Sequence, residues 1–343
     1  MIFRQLFDAT SGTYTYLLAS RRGGEAMIID PVLEKVDRYL QLIAELDLKL
    51  VKAVDTHLHA DHITGLGALR DRTHCITVMG EQSQVDVVSM RVAEGDHLTI
   101  EGMALDVIYT PGHTDDSYCF KMADRVFTGD TLMIRGTGRT DFQNGCARAQ
   151  YDSIFNRLLT LPDDTMVFPG HDYKGDTVSS IGEEKRCNPR LQVSGADAYV
   201  ALMNGLNLSN PKMMDVAVPA NMHQGLHQEE VARRGWSVTA EQAKALLGSR
   251  DIALVDLRER EERAKHGNIP GALHAPYSNL QENIEPGGIL HELAETRRLL
   301  FYCAFGERSA MAVQAAQDAG LSTACHIHGG IAAWKKAEGP VSA

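Results

Sequence analysis

At 343 residues the chain is long enough for two domains, and 44% apolar with 23% charged residues is the composition of an ordinary globular protein. A formal net charge of −11 argues against nucleic acid or an anionic membrane as the main partner, and no apolar stretch reaches the length of a membrane span. The start, Met1-Ile2-Phe3-Arg4-Gln5-Leu6-Phe7-Asp8, lacks the basic and apolar runs of a signal peptide, so a cytoplasmic location is expected. The six cysteines (75, 119, 146, 187, 303 and 325) form no C-x-x-C pair, which fits reduced thiols.

Strands are predicted at 14–19, 26–30, 50–56, 105–110, 118–122, 126–128 and 166–169, each a β-rich run ending in Gly, His or Asp loops. Helical spacing over 33–46 puts Val36, Tyr39, Leu40, Ile43 and Leu46 on one face. Over 151–161 it does the same for Ile154, Phe155, Leu158 and Leu159. From 213 to 236 the periodicity fades, with the polar run Asn221-Met222-His223-Gln224-Gly225, and the segment reads as a domain tail and linker. The pattern then restarts. Thr239 can cap a helix over 240–247, a buried strand follows at 251–256, and another at 298–302 runs into Cys303 and a helix over 310–319. Strands mixed with helices imply layered α/β domains, predicted at 1–236 and 237–343.

Directly after the predicted strand at 50–56 comes His57-Leu58-His59-Ala60-Asp61-His62. Imidazole and carboxylate suit Zn, Fe or Mn, with no thiolate to suggest a structural zinc. Three more strand ends add His113, Asp130 and His171, each beside a glycine that lets backbones crowd. The residues alone leave open which metal binds and how many ions.

The order H-x-H-x-D-H, G-H-T, G-D-T, G-H resembles the metallo-β-lactamase superfamily and implies an αββα sandwich with metal at one edge. Two glutathione-handling branches fit: binuclear hydroxyacylglutathione hydrolases (glyoxalase II) and persulfide dioxygenases holding one Fe(II). The stretches at 56–65, 134–143, 171–178 and 188–191 resemble the dioxygenases, with Thr137 standing where that family often has Cys. That resemblance, over about residues 1–225, implies that His57, His113 and Asp130 bind one iron per chain as a facial triad. His59, Asp61, His62 and His171 then orient ligands or contact substrate, whereas a hydrolase would use them for a second metal. Glutathione carries two carboxylates, so cationic and polar donors near the metal loops are candidates for holding it. Arg139, Tyr173 and Arg190 are favoured, with Lys174 and Arg186 as further candidates.

Cys303-Ala304-Phe305-Gly306-Glu307-Arg308-Ser309 joins a buried strand to a helix. Backbone N–H groups and a helix N-terminus there should stabilise a thiolate or persulfide, and Arg308 offers a cation for an oxyanion. With Val255-Asp256-Leu257-Arg258-Glu259, His266-Gly267-Asn268-Ile269-Pro270-Gly271-Ala272 and Gly329-Gly330-Ile331-Ala332-Ala333-Trp334, the segment resembles a rhodanese over about 237–343. Its C-x4-R loop is one residue shorter than the phosphatase C-x5-R.

Together the resemblances imply a fold of N-terminal metallo-β-lactamase sandwich plus C-terminal rhodanese-like α/β domain with a parallel sheet. They imply Fe(II)-dependent oxidation of glutathione persulfide by O2 to sulfite and glutathione, as in hydrogen sulfide detoxification. A Cys303 persulfide would move sulfur between thiosulfate or sulfite and glutathione. The alternatives are a two-metal thioester hydrolase with a rhodanese domain and a non-catalytic sulfur-sensing scaffold. Oligomeric state is left open by the sequence.

Overall fold

The computed structural model describes residues 1–206, 208, 213–224 and 228–342. It divides into two compact units: 1–70, 77–86 and 91–224 form the first, and 71–76, 87–90 and 225–343 the second. The division after Gln224 falls inside the segment read as a linker. That segment is not irregular: it contains the helices Met214–Met222 and Gln228–Arg233. Pro219 inside the first of them is what blurs the helical signal.

The first unit holds two sheets. One runs β1 (Ile2–Asp8), β2 (Thr13–Ala19), β3 (Glu25–Ile29), β4 (Lys49–Val54), β5 (Ile76–Gly80) and β6 (Met90–Val92) in that spatial order. The other comprises β7 (His97–Ile100), β8 (Met103–Tyr109), β9 (Tyr118–Lys121), β10 (Arg125–Gly129), β11 (Met166–Pro169) and β12 (Ser179–Ser180), again in chain order across the sheet. Their inner faces meet through aromatic rings. Phe3 and Tyr16 from the first sheet pack on Phe168 and Phe127 from the second, with closest centroids at 4.9 Å. On the outer face of the second sheet, Ile154, Leu158 and Tyr199 pack with Val126 and Val167.

The predicted strands all appear, shifted by a residue or two, and 166–169 coincides with β11. The helix expected over 33–46 starts as a 3-10 turn, Leu33–Lys35, and becomes α-helical over Val36–Glu45. Its buried face is Val36, Tyr39, Leu42 and Ile43, so Leu42 replaces Leu40 and Leu46, which are only half-buried. The second predicted helix occupies Ala147–Phe155 and gives way to a 3-10 turn at Leu158–Thr160.

β4, β8, β10 and β11 all deliver their C-terminal ends to one edge. β10 is parallel to β11 and, through the two antiparallel pairings of β9, also to β8. The loops that carry His57–His62, His113, Asp130 and His171 follow those four strands.

In the second unit β13 (Ser237–Val238), β14 (Ile252–Asp256), β15 (Leu273–His274), β16 (Arg298–Tyr302) and β17 (Cys325–Ile327) form a sheet ordered β13-β17-β16-β14-β15. Its strand pairs are parallel. Thr239 caps helix Ala240–Leu246 in a reciprocal box with Gln242. Leu300, Tyr302, Ile327, Ile331 and Trp334 fill the core on one face. No helix among the described residues is long and apolar enough to cross a membrane.

Candidate metal centre and sulfur-transfer loop

His57, His113 and Asp130 are buried, and each offers a ligand atom within 4.8 Å of the others. The hydrogen bonds behind them fix which atoms those are. Thr56 gives its one hydroxyl hydrogen to Asp30 Oδ2 (3.0 Å), so its oxygen accepts from His57 Nδ1–H at 2.9 Å. The Arg139 carbonyl can only accept, so His113 Nδ1 at 2.7 Å carries the other hydrogen. Both Nε2 atoms are left with lone pairs, the form a metal requires. Burial, with His59 and His113 close by, drives the His57 pKa well below the ordinary histidine value. Burial alone would raise the Asp130 carboxyl, but His171 and His113 beside it hold it below the usual carboxylate range.

Glycines set how close these loops come. A Cβ on Gly138 would lie 2.3 Å from the Asp130 carbonyl and 2.7 Å from His113 Nδ1, so only glycine fits there.

A second group, His59, Asp61 and His62, meets the same 4.8 Å criterion. His59 Nδ1 and His62 Nε2 are buried without a hydrogen-bond partner. Asp61 Oδ2, by contrast, is heavily used: His171 Nε2 lies at 2.8 Å, His62 Nδ1 at 3.0 Å and the Thr13 hydroxyl at 3.3 Å. His171 sits between two carboxylates, its other nitrogen 2.6 Å from Asp130 Oδ1. Asn221, unnoticed as a site residue in the sequence, holds the loop in shape. Its amide donates to the carbonyls of His59 and His62 and accepts from Thr64 N–H, all at 2.9 Å.

A cavity of about 870 Å³ opens on His57, His113 and Asp130 and is lined also by Arg139, Tyr173, Lys174 and Arg190. Arg186 is not among the lining residues. Arg139 is held from two sides. Its guanidinium already pairs with Asp141 at 2.6 and 2.7 Å and lies 4.5 Å from the Phe142 ring centre. Arg190 is held instead by neutral acceptors, the carbonyl and hydroxyl of Thr137, and burial pulls its pKa down. The Thr137 hydroxyl also accepts from Tyr199. Tyr173 is 73% exposed, its ring lying nearly parallel to His171 at 6.0 Å.

In the second unit the helix after β16 begins at Glu307, three residues earlier than expected, so Glu307, Arg308 and Ser309 form its first turn. Gly306 ahead of it has φ 102°, a conformation reserved for glycine, and donates its N–H to Cys303 Sγ at 3.0 Å. Arg308 is fully buried and makes a bidentate pair with Glu262 (2.6 and 2.7 Å). Glu307 is buried beside the thiol. Burial pushes the Cys303 thiol up to about 12, and Glu307 adds to the rise while Arg308 and the N–H groups of Ser309 and Gly306 oppose it. Phe305 is exposed at the tip.

Comparison with known proteins matches both halves. Residues 239–337 fit the rhodanese-like domain, and 9–84 with 80–171 the metallo-β-lactamase superfamily. The mitochondrial persulfide dioxygenase ETHE1 of Mus musculus is 46% identical over 229 residues, 66% of this chain and 89% of that protein; the Homo sapiens protein matches equally. The crystal structure of ETHE1 from Myxococcus xanthus superposes with a TM-score of 0.63 and 54% identity, covering 65% of this chain and 98% of that one. A Staphylococcus aureus metallo-β-lactamase covers 96% of this chain and 98% of its own at a TM-score of 0.61, but at 22% identity it speaks for the fold alone. With the ligand-bearing loops at one sheet edge and nearly nine-tenths of the relatives' length matched, the chain belongs to the persulfide dioxygenase family of the metallo-β-lactamase superfamily and carries a rhodanese-like domain.

Proposed function

We propose that the first unit oxidises glutathione persulfide with O2 at a single Fe(II) held by His57, His113 and Asp130. The carrying observation is the trio itself: three ligand atoms within 4.8 Å, both imidazoles presenting Nε2, at the mouth of a large cavity. Two imidazole nitrogens and a carboxylate suit a hard-to-borderline divalent ion with N and O donors. A bound Fe(II) supplies an open coordination face where O2 and a persulfide sulfur can meet.

The balance is GSSH + O2 + H2O → GSH + H2SO3, in which the outer sulfur is oxidised and O2 is reduced. The protein's part is to bind and orient. Arg190, whose partners are neutral, and Lys174 suit the carboxylates of glutathione, while Tyr173 covers the peptide face. Asp61 and His171 form a hydrogen-bonded pair at the cavity wall that can hold a proton near the sulfur.

In the second unit Cys303 takes sulfane sulfur: Cys303–SH + S2O3²⁻ → Cys303–S–S⁻ + SO3²⁻ + H⁺. Glutathione then attacks the outer sulfur, and glutathione persulfide leaves. One half thus makes what the other consumes.

Metal analysis with oxygen uptake on glutathione persulfide tests the first half: about one iron per chain with uptake is expected. The orphaned nitrogens of His59 and His62 favour a second reading, a two-metal thioester hydrolase. Two zincs per chain, thioester cleavage and no uptake would establish that reading instead. Cys303→Ser tests the coupling. It should keep uptake on supplied persulfide and lose uptake on thiosulfate plus glutathione.

A further inference from the structure

The thiol of Cys303 is fully buried, yet it must lose a proton each time it takes up sulfur. A line of hydrogen-bonding side chains leads away from it. Cys303 Sγ is 3.8 Å from Ser309 Oγ, and Ser309 Oγ is 3.1 Å from His326 Nδ1. On the far side of the ring, His326 Nε2 is 2.7 Å from the hydroxyl of Ser237, which is half-buried at the start of β13. Ser309 and His326 are completely buried. A fully buried imidazole with a hydroxyl on each nitrogen is the arrangement that passes a proton in at one side and out at the other.

We propose that Ser309, His326 and Ser237 form a proton relay that drains the Cys303 thiol during sulfur uptake, with His326 a positioning residue that acts through Ser309. The inference rests on the reading of Cys303 as the sulfur carrier. As Sγ attacks the outer sulfur of thiosulfate, the S–S bond of the donor breaks and sulfite leaves with its electron pair. The thiol proton moves to Ser309 Oγ, the Ser309 hydrogen to His326 Nδ1, and the Nε2 hydrogen to Ser237 and solvent. No oxidant is required. Ser309 has a competing acceptor in the Gly306 carbonyl at 3.0 Å, so one hydroxyl rotation opens or closes the line.

Burial, with His328 nearby, holds His326 down at about 3, which keeps the ring neutral and able to exchange one hydrogen for another. The charged groups facing the thiol are Glu307 and Arg308 from the helix, with Glu262 behind Arg308. Glu307 is the competing proton acceptor.

The test follows persulfide formation on Cys303 in the full chain after rapid mixing with thiosulfate, read by mass spectrometry from pH 6.5 to 10. His326→Gln keeps a donor and an acceptor but cannot relay, and Ser309→Ala removes one atom. Each should slow loading at least about tenfold near neutrality. The deficit should shrink as pH rises and hydroxide takes the proton directly, and Ser309→Thr should load nearly as the parent does. In the parent chain, loading in H2O–D2O mixtures should show more than one proton in flight. Parent-like loading by both variants overturns the relay, as does a deficit that stays constant with pH, which marks a structural role. Loading lost only in Glu307→Gln would assign the proton to that carboxylate and also overturn it. A parent chain that never takes sulfur on Cys303 removes the carrier reading itself, and the relay with it.

Discussion

The two sites of this chain are built in opposite ways. The candidate metal centre draws His57, His113 and Asp130, with His171 beside Asp130, from four separate strand ends spread over more than a hundred positions, and exists only when both sheets have formed. The sulfur-transfer loop is one run of seven consecutive residues, Cys303–Gly306 after a strand and Glu307–Ser309 in the first turn of the helix that follows. The scattered site opens on a cavity of about 870 Å³, whereas the contiguous one closes over a fully buried thiol. A distributed site depends on the fold for its geometry but inherits its ligand chemistry from residue types. A local site has its geometry from the motif, and its electrostatics depend on neighbours far along the chain.

That contrast predicts where substitutions should do most damage. In the scattered site, the ligand atoms themselves dominate. Asp130→Ala should drop metal content to background and abolish oxygen uptake, an effect beyond the 10- to 100-fold loss typical of groups that only orient a ligand. Sulfur transfer from thiosulfate to Cys303 should be unchanged, because nothing in that loop depends on the metal edge. Metal analysis and the two separate assays decide this, and parallel loss of both activities would break the comparison.

The contiguous site should instead fail through its hidden partner. Glu262→Gln leaves the Arg308 guanidinium buried and half-paired, and breaking one side of a buried pair costs about 3–5 kcal/mol. Thermal or denaturant unfolding of the full chain should show a destabilised transition, while iron content stays at the parent level. Unaltered unfolding would mean that water or Glu307 takes over the charge.

The same contrast explains what the sequence revealed. H-x-H-x-D-H and the Gly-His and Gly-Asp strand ends were legible because ligand chemistry limits which residue types can serve, and because β-rich runs point all four loops to one edge. The rhodanese loop was legible from a Cys at a strand–helix junction and from the resemblance carried by the motifs around it. Asp30 and Thr56, which fix the His57 tautomer, gave no signal, since an Asp ending one strand and a Thr ending another look like ordinary turn residues. Asn221 was hidden for a different reason. It lies in a proline-bearing helix whose broken periodicity reads as a linker, although its polar neighbours marked the stretch as unusual. At Cys303, burial and Glu307 oppose the backbone N–H groups that a strand–loop–helix motif advertises, and that opposition has no trace in the loop sequence alone.

Asn221 offers a smaller test of the scattered site. Asn221→Ala removes three buried hydrogen bonds and leaves the carbonyls of His59 and His62 unsatisfied, for a loss of about 1–3 kcal/mol. Iron affinity should fall by about tenfold as the loop loosens, measured by competition with a chelator. A change in stability with no change in affinity would show that the loop holds its own shape.

The smallest effect is expected at Glu307, and it is the one that separates local geometry from local electrostatics. Its carboxylate lies beside the thiol and contributes, after burial, to the rise that puts it at about 12. Below that value each pH unit changes the thiolate fraction about tenfold. Removing the negative charge with Glu307→Gln should therefore shift the whole reactivity profile of Cys303 toward lower pH. Alkylation of Cys303, followed by mass spectrometry so that the exposed Cys146 and Cys187 do not confuse the reading, should speed up a few-fold at pH 8. The direction is fixed by the sign: an anion that raises a thiol's pKa slows it at every pH below that pKa. Slower alkylation in the variant would mean that Glu307 accepts the thiol's proton rather than repelling its charge, and the motif would then contain its own base.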